Sequence, residues 1–408
     1  MTATSPPAAE PAAQRLSQVE FVALAAFLFS TVAFAIDAML PVLVEMGRDL
    51  SPADPGRAQL VITVFVLGLG LGTFLAGPLS DALGRKRVIL WGIALYMSAA
   101  TVAALTESIE MLLLARFVQG LGSAAPRVVT QAMMRDLFSG RAMARVMSFT
   151  MAVFILVPAV APLIGAGIAA LFGWRAIFWS FLVFGTASGL WLALRQPETL
   201  APAARRPLNL RALAATLAEI AGHGRVMALL VALSFGFAGM FVWLATLPML
   251  FDITYGRAAE FPWWFAAIAL ASIPASLLNA RLVMRLGMHR LVVTAMLAQT
   301  TGALVMLGLI WLDRAGFVPF MLLMLVQFAT IAMIFGNMNA MALEPLGHVA
   351  GTAASVMGGV STMAAAVIAT PIARTFDGTP LSVTLGMLGC ALMALACLLL
   401  ARRLSLRG

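Results

Sequence analysis

Charge is scarce in this chain: 11% of its 408 residues are Asp, Glu, Lys or Arg and three are His, where soluble domains carry about 25% charged residues. That shortage excludes a soluble enzyme and a nucleic-acid-binding domain. Cysteine is nearly missing too. Cys390 and Cys397 share one apolar run near the C-terminus, which gives neither a disulfide framework nor a metal-ligand cluster. There is no Gly-rich phosphate loop closed by Lys-Ser or Lys-Thr, so ATP does not drive this protein. No His, Asp, Glu or Cys cluster falls inside the apolar runs, and no stretch outside them exceeds about 30 residues, which argues against a membrane enzyme or sensor. His223, His289 and His348 lie near the ends of those runs, where they read as solvated surface.

What the chain has instead is apolar length. Apolar residues make up 62% of it and the mean hydropathy is +1.00. A bilayer-crossing helix needs about 20 mostly apolar residues. Twelve stretches qualify: 21–44, 58–79, 88–106, 111–131, 146–171, 177–194, 227–251, 263–280, 291–312, 317–343, 351–373 and 380–400. The expected fold is therefore an all-α membrane protein of twelve transmembrane helices. The opening residues, rich in Ala, Pro and Ser, lack a short apolar core with a cleavage site and read as a disordered tail and not a signal peptide.

The net charge of +9 acts as a topology signal. With the N-terminus inside, eighteen Lys/Arg fall on the inner side and six on the outer, and basic residues concentrate on the cytoplasmic side. Both termini are then cytoplasmic. Trp174, Trp263, Trp264 and Trp311 mark the outer boundary, where indole rings favour the headgroup layer. The longest break, with Pro197, Pro202 and Pro207, divides the spans into six and six. The domain plan is a cytoplasmic tail over 1–18, a first six-helix half over 19–195, a cytoplasmic linker over 196–225, a second half over 226–401 and a tail over 402–408. A repeat is faintly visible: Gly84-Arg85-Lys86-Arg87 after span 2 matches Gly287-Met288-His289-Arg290 after span 8 in its Gly and final basic residue, with Met284 where the first copy has Asp81. Duplicated halves suit a secondary transporter that rocks one half against the other.

Three ionisable residues remain inside the spans once their ends are trimmed: Asp37, Arg116 and Arg127. A charge at bilayer depth costs at least about 2.5–3.5 kcal/mol, so each needs a cavity or a partner. Asp37 and Arg116 lie at equal depth, roughly 10 Å below the outer ends of spans 1 and 4 at the rise of an α-helix. Two readings stand: a static ion pair joining the spans, or an Asp37 that exchanges a proton or a cation. Arg127, next to Pro126, either snorkels to the headgroups or serves an inner gate.

Gly77-Pro-Leu-Ser-Asp81-Ala-Leu-Gly84-Arg85-Lys86-Arg87 resembles, almost position for position, the loop signature of the major facilitator superfamily. The resemblance implies a cytoplasmic latch in which Gly77, Asp81, Gly84, Arg85 and Arg87 gate transport, with Asp81 accepting from the N-terminus of a neighbouring helix or from arginine. Leu112 to Ala125, with Arg116, Gln119, Gly120 and Gly122, is similar to the family's span-4 motif, whose buried arginine is linked to proton coupling. Span 5 carries Pro158, Ala161-Pro162 and Gly165, similar to the antiporter motif of drug exporters, although Ala161 replaces the usual Gly; the same gating role is implied for Pro158, Pro162 and Gly165. With Ile36-Asp37-Ala-Met-Leu-Pro41 and Ala350-Gly351-Thr-Ala-Ala-Ser355, the whole chain resembles the bicyclomycin- and chloramphenicol-resistance (Bcr/CflA) branch of proton-coupled drug exporters. Phe29 stands where some exporters of this fold place a second acid, which leaves coupling to Asp37 alone and implies one proton per cycle.

In the fold so implied, spans 1, 4, 7 and 10 line a central cavity. Its candidate substrate contacts are Asp37, Gln119, Phe235, Trp243, Gln327, Asn337 and Asn339, with Ser30, Phe241 and Met338 beside them. A greasy, Met-rich wall with few polar anchors tolerates varied ligands and suits lipophilic small molecules better than sugars, whose hydroxyls need fixed partners. The expectation is a proton/drug antiporter in the bacterial inner membrane, acting as a monomer among membrane lipids, with a small lipophilic substrate, no nucleic-acid partner, no metal, and no cofactor beyond the proton. A dedicated exporter of one metabolite is the alternative.

Overall fold

The computed structural model describes residues 16–405 apart from 206 and 209. The N-terminal tail is thus almost wholly outside the described residues, as are residues 406–408 of the C-terminal tail. Among the described residues the chain is helical, without a β-strand: α1 (Gln18–Asp37), α2 (Leu43–Leu50), α3 (Leu60–Leu83), α4 (Arg85–Leu105), α5 (Ile109–Leu137), α6 (Gly140–Phe172), α7 (Arg175–Arg195), α8 (Leu210–Gly222), α9 (Gly224–Met249), α10 (Phe261–Leu286), α11 (Met288–Trp311), α12 (Phe317–Leu343), α13 (Ala350–Arg374) and α14 (Pro380–Ser405).

Ten segments, those built on α1, α3, α4, α7 and α9 to α14, are long and apolar enough to cross a membrane. α5 falls outside that group although it spans 29 residues, because Arg116, Gln119 and Arg127 lower its hydropathy. α6 contributes the shorter apolar stretch Leu156–Phe172. The linker is not featureless, since α8 forms within it and buries Ile220 against the second half of the chain.

Span 1 differs from the simple rod its sequence suggests. α1 stops at Asp37, a short 3-10 turn covers Leu40–Val42, and α2 resumes to Leu50, six residues beyond the end expected at Val44. Pro41 explains the break. It has no N–H to give the Asp37 carbonyl four residues earlier, and its ring crowds that carbonyl. The next N–H in line, that of Met39, bonds to Ile36 at 3.3 Å, so the Ala35 carbonyl also loses its ordinary helical donor.

Small residues let the neighbouring helices close on this point. A Cβ on Gly165 of α6 would overlap the Ala38 carbonyl, and one on Gly120 of α5 would overlap the Phe65 carbonyl of α3. Without a hydrophobic force between helices in lipid, such close approaches are the main source of packing energy.

The first and second halves of the chain are tied at one end. Arg48 pairs with Asp252 at 2.9 Å, Arg374 with Asp54 at 3.0 Å, and Gln59 Nε2 lies 2.9 Å from Met249 Sδ. At the opposite end, the ion pairs seen among the described residues are Arg85 with Asp81 and Asp136, Glu20 with Arg195, Arg225 with Glu344, and His348 with Glu219, each within one half or between the linker and that half. A cavity of about 380 Å³ opens there between Asp81, Arg85 and Asp136 on one side and Gly351 and Ser355 on the other.

Candidate functional site

The break in α1 is the centre of the candidate site. Asp37 ends α1, is 6% exposed, and makes no side-chain hydrogen bond or ion pair among the described residues. Arg116 of α5, fully buried, does not bind it. Its guanidinium donates to the Ala35 carbonyl at 3.0 Å, the Val61 carbonyl at 3.4 Å and Gln119 Oε1 at 2.7 Å, and lies over the Phe65 ring at 4.3 Å. Arg116 therefore caps the carbonyl left free by the break, at the helix end where the macrodipole favours a cation. Of the two readings of these charges, the direct ion pair is absent from this structure. Arg116 acts instead on the backbone two residues before Asp37.

Tyr96 of α4 is the residue that sequence reasoning missed. It is fully buried, with its hydroxyl against the Gln119 side chain and close to Arg116. The chain has two tyrosines, so a lone Tyr in span 3 was the available signal. The site thus joins α1, α3, α4 and α5 around one cation, one carboxyl group and two uncharged polar side chains, with α6 closing over it at Gly165. Pro162 is buried in α6 one turn from Gly165, and Pro158 is half-buried one turn earlier.

The loop after α3 forms a second polar centre. Gly84 turns the chain with φ +102°, a conformation that costs a side chain but not glycine. Arg85 then donates to Asp81, to Ser80 Oγ at 2.7 Å and to Asp136 at 3.1 Å. Of the two partners expected for Asp81, arginine is the one engaged; Gly351, at the start of α13, lies across the 380 Å³ cavity. Gly77 touches α13 at Ser355, whose Oγ would be 2.7 Å from an added Cβ. Arg87 is exposed and makes no ion pair among the described residues. Two carboxylates that sequence reasoning passed over belong here. Asp136 holds Arg85 and Thr199, and Glu198 of the linker accepts from the backbone N–H groups of Arg85 at 2.8 Å and Lys86 at 3.2 Å.

The remaining candidates are dispersed. Trp243 is buried against Phe328 at 4.8 Å and Phe265 at 6.4 Å. Gln327 is buried beside that cluster and Phe235 is half-buried on α9. Asn337 donates to Asn279 of α10 at 3.0 Å and to its own helix at Met333, while Asn339 bonds back to Phe335 at 2.9 Å. Arg127 is half-buried on α5.

A bundle of apolar helices with buried charge in its interior defines an integral membrane transporter. Residues 22–370 match the Major Facilitator Superfamily, and the chain belongs to that family. It is 31% identical to a bicyclomycin resistance protein homolog of Haemophilus influenzae, over 97% of this chain and 100% of the relative. It is 27% identical to multidrug resistance protein D of Escherichia coli, over 90% and 92% of the two chains. The solved structure of a D-xylose-proton symporter superposes with a TM-score of 0.76 at 14% identity, covering 93% of this chain and 97% of that one, and so shares the fold. The chain is a transporter and not an enzyme.

Proposed function

We propose that this protein exports lipophilic small molecules, antibiotics or secondary metabolites, in exchange for protons by alternating access. The observation that carries the reading is the location of Asp37, a shielded carboxylate without a side-chain partner among the described residues, at the point where α1 breaks, with Arg116 fixed to the adjacent backbone. A carboxylate so held gains or loses a proton without breaking any side-chain bond. Protonation from outside loads the carrier, release inside frees Asp37, and substrate binds only to the deprotonated form. Mutual exclusion of proton and substrate is what couples a gradient to export. Arg116 and Gln119 position this centre, and Phe235, Trp243, Gln327, Asn337 and Asn339 supply the cavity wall.

The relatives named for bicyclomycin and multidrug resistance support this choice of substrate. α5 and α6 complete twelve spans in two halves, both termini face the cytoplasm, and the protein acts as a monomer in the bacterial inner membrane. In that orientation the inter-half ion pairs seal the outer end and the 380 Å³ cavity opens inward. The latch of Gly77, Asp81, Gly84, Arg85 and Arg87 is then released, and Pro158, Pro162 and Gly165 set how α6 rides on α1. The test is proton flux from liposomes against a panel of compounds: export of several lipophilic compounds with counter-flow of protons supports the reading, and flux with one compound alone favours a dedicated metabolite exporter.

A further inference from the structure

The seam where ion pairs join the two halves, the outer end in the orientation proposed above, carries a spare carboxylate on each side. A cleft of about 140 Å³ holds Arg48, its partner Asp252 of the second half, and Glu45. A second, of about 440 Å³, holds Arg374, its partner Asp54 of the first half, and Asp377. Each arginine therefore shares a cleft with two carboxylates, one across the seam and one three residues away in its own half. Glu45 and Arg48 lie on one face of α2, because residues three apart on a helix are neighbours. Glu45 makes no side-chain hydrogen bond or ion pair among the described residues, and Asp377 accepts from the Thr379 N–H and hydroxyl at Oδ1.

Between the ion pairs the seam is poorly satisfied. Gln59 is 3% exposed and lines the larger cleft. Its Nε2 meets the thioether of Met249 across the seam at 2.9 Å, a weak acceptor, and its Oε1 is buried without a partner among the described residues. A buried carbonyl left unpaired is stabilised once water reaches it. Opening the seam thus satisfies Gln59.

We propose that the outer gate works by partner exchange: on opening, Arg48 passes from Asp252 to Glu45 and Arg374 from Asp54 to Asp377, while water satisfies Gln59. This rests on the alternating-access reading above and supplies its outer switch. Ion pairs are exchanged one for one, and no guanidinium is left without a carboxylate. The two states then stay close in free energy, as a carrier that alternates between them needs. Glu45, Asp377 and Gln59 are gating residues, outside the centre around Asp37.

Spin-label distances test this without substrate or a proton gradient, so the result does not depend on what is exported. The full-length protein with Cys390→Ala and Cys397→Ala is labelled at Glu107→Cys and Arg314→Cys, exposed positions in the two halves. Double electron–electron resonance then reads the separation across the seam. Asp54→Asn/Asp252→Asn should raise the ratio of long to short distances about two- to fivefold per ion pair. Adding Glu45→Gln/Asp377→Asn should bring the ratio back close to wild type, whereas a merely structural role for those two carboxylates would leave it unmoved. Gln59→Met, added to Asp54→Asn/Asp252→Asn, should also lower the ratio, since closure no longer buries an unpaired amide. None of the four carboxylates is buried, so their substitution leaves the fold intact. An Asp54→Asn/Asp252→Asn protein that stays closed, a fourfold variant as open as that one, or a Gln59→Met change that does not lower the ratio would each overturn the proposal.

Discussion

Replacing Arg116 by lysine separates charge from geometry. The guanidinium reaches three acceptors at 2.7, 3.0 and 3.4 Å and lies over Phe65. Lysine keeps the charge, but as a point charge on a flexible stem it cannot span a fork of acceptors and retains one of them. Hydrogen bonds within membranes average about 0.6 kcal/mol, with a maximum near 1.7, and charged ones lie at the upper end. Two lost bonds at about 1 kcal/mol each, with about 1 kcal/mol for the cation–π contact, give about 3 kcal/mol. At roughly 2–4 °C per kcal/mol for a unit of 150–250 residues, the unfolding midpoint should fall by about 6–12 °C. Proton-coupled export should fall with it, because the Ala35 carbonyl is no longer held and the break that positions Asp37 loosens. The assay pairs thermal unfolding in detergent with proton flux in liposomes. An Arg116→Lys protein with the wild-type midpoint and wild-type coupling would refute the positioning role.

Asp81→Ala should leave stability within about 1 kcal/mol of wild type, since Asp81 is itself exposed to solvent and Arg85 keeps Ser80 and Asp136, while slowing turnover and shifting the inward/outward balance, read by cysteine accessibility at the two ends. Glu198→Gln weakens the cap on α4 and should cost about 0.5–2 kcal/mol in chemical unfolding. Gly165→Ala forces α6 away from Ala38 and should cost about 1–3 kcal/mol as overpacking; wild-type stability and export together would show that the contact is not needed.

The apolar runs and the loop from Gly77 to Arg87 were legible because each is written in contiguous residues. Helix ends were less so: α5 runs from Ile109 to Leu137 where 111–131 was apolar, because helices continue past the hydrophobic stretch into polar surroundings. The partner of Arg116 was illegible for a different reason. Its acceptors are the carbonyls of Ala35 and Val61, and a backbone carbonyl has no letter in the sequence; the clue for the first was Pro41, which breaks α1 just after Ala35. Glu198 was hidden by distance, since it lies 113 residues from the Arg85 amide it caps. Asn337 was assigned to the cavity by its residue type, and its bond to Asn279, 58 residues away on α10, was not legible.

The most direct test of the account is Asp37→Asn in vesicles with an imposed proton gradient. Asparagine preserves the size of the side chain and mimics the protonated carboxyl, and Asp37 has no side-chain partner to lose among the described residues, so the variant should fold and stay in the proton-loaded form that does not take up the exported compounds. It should fail to concentrate any of them against a gradient and should pass no protons in exchange. Accumulation at the wild-type level, with protons still moving, would contradict the account, because no other carboxylate lies in the core of a span to take the place of Asp37.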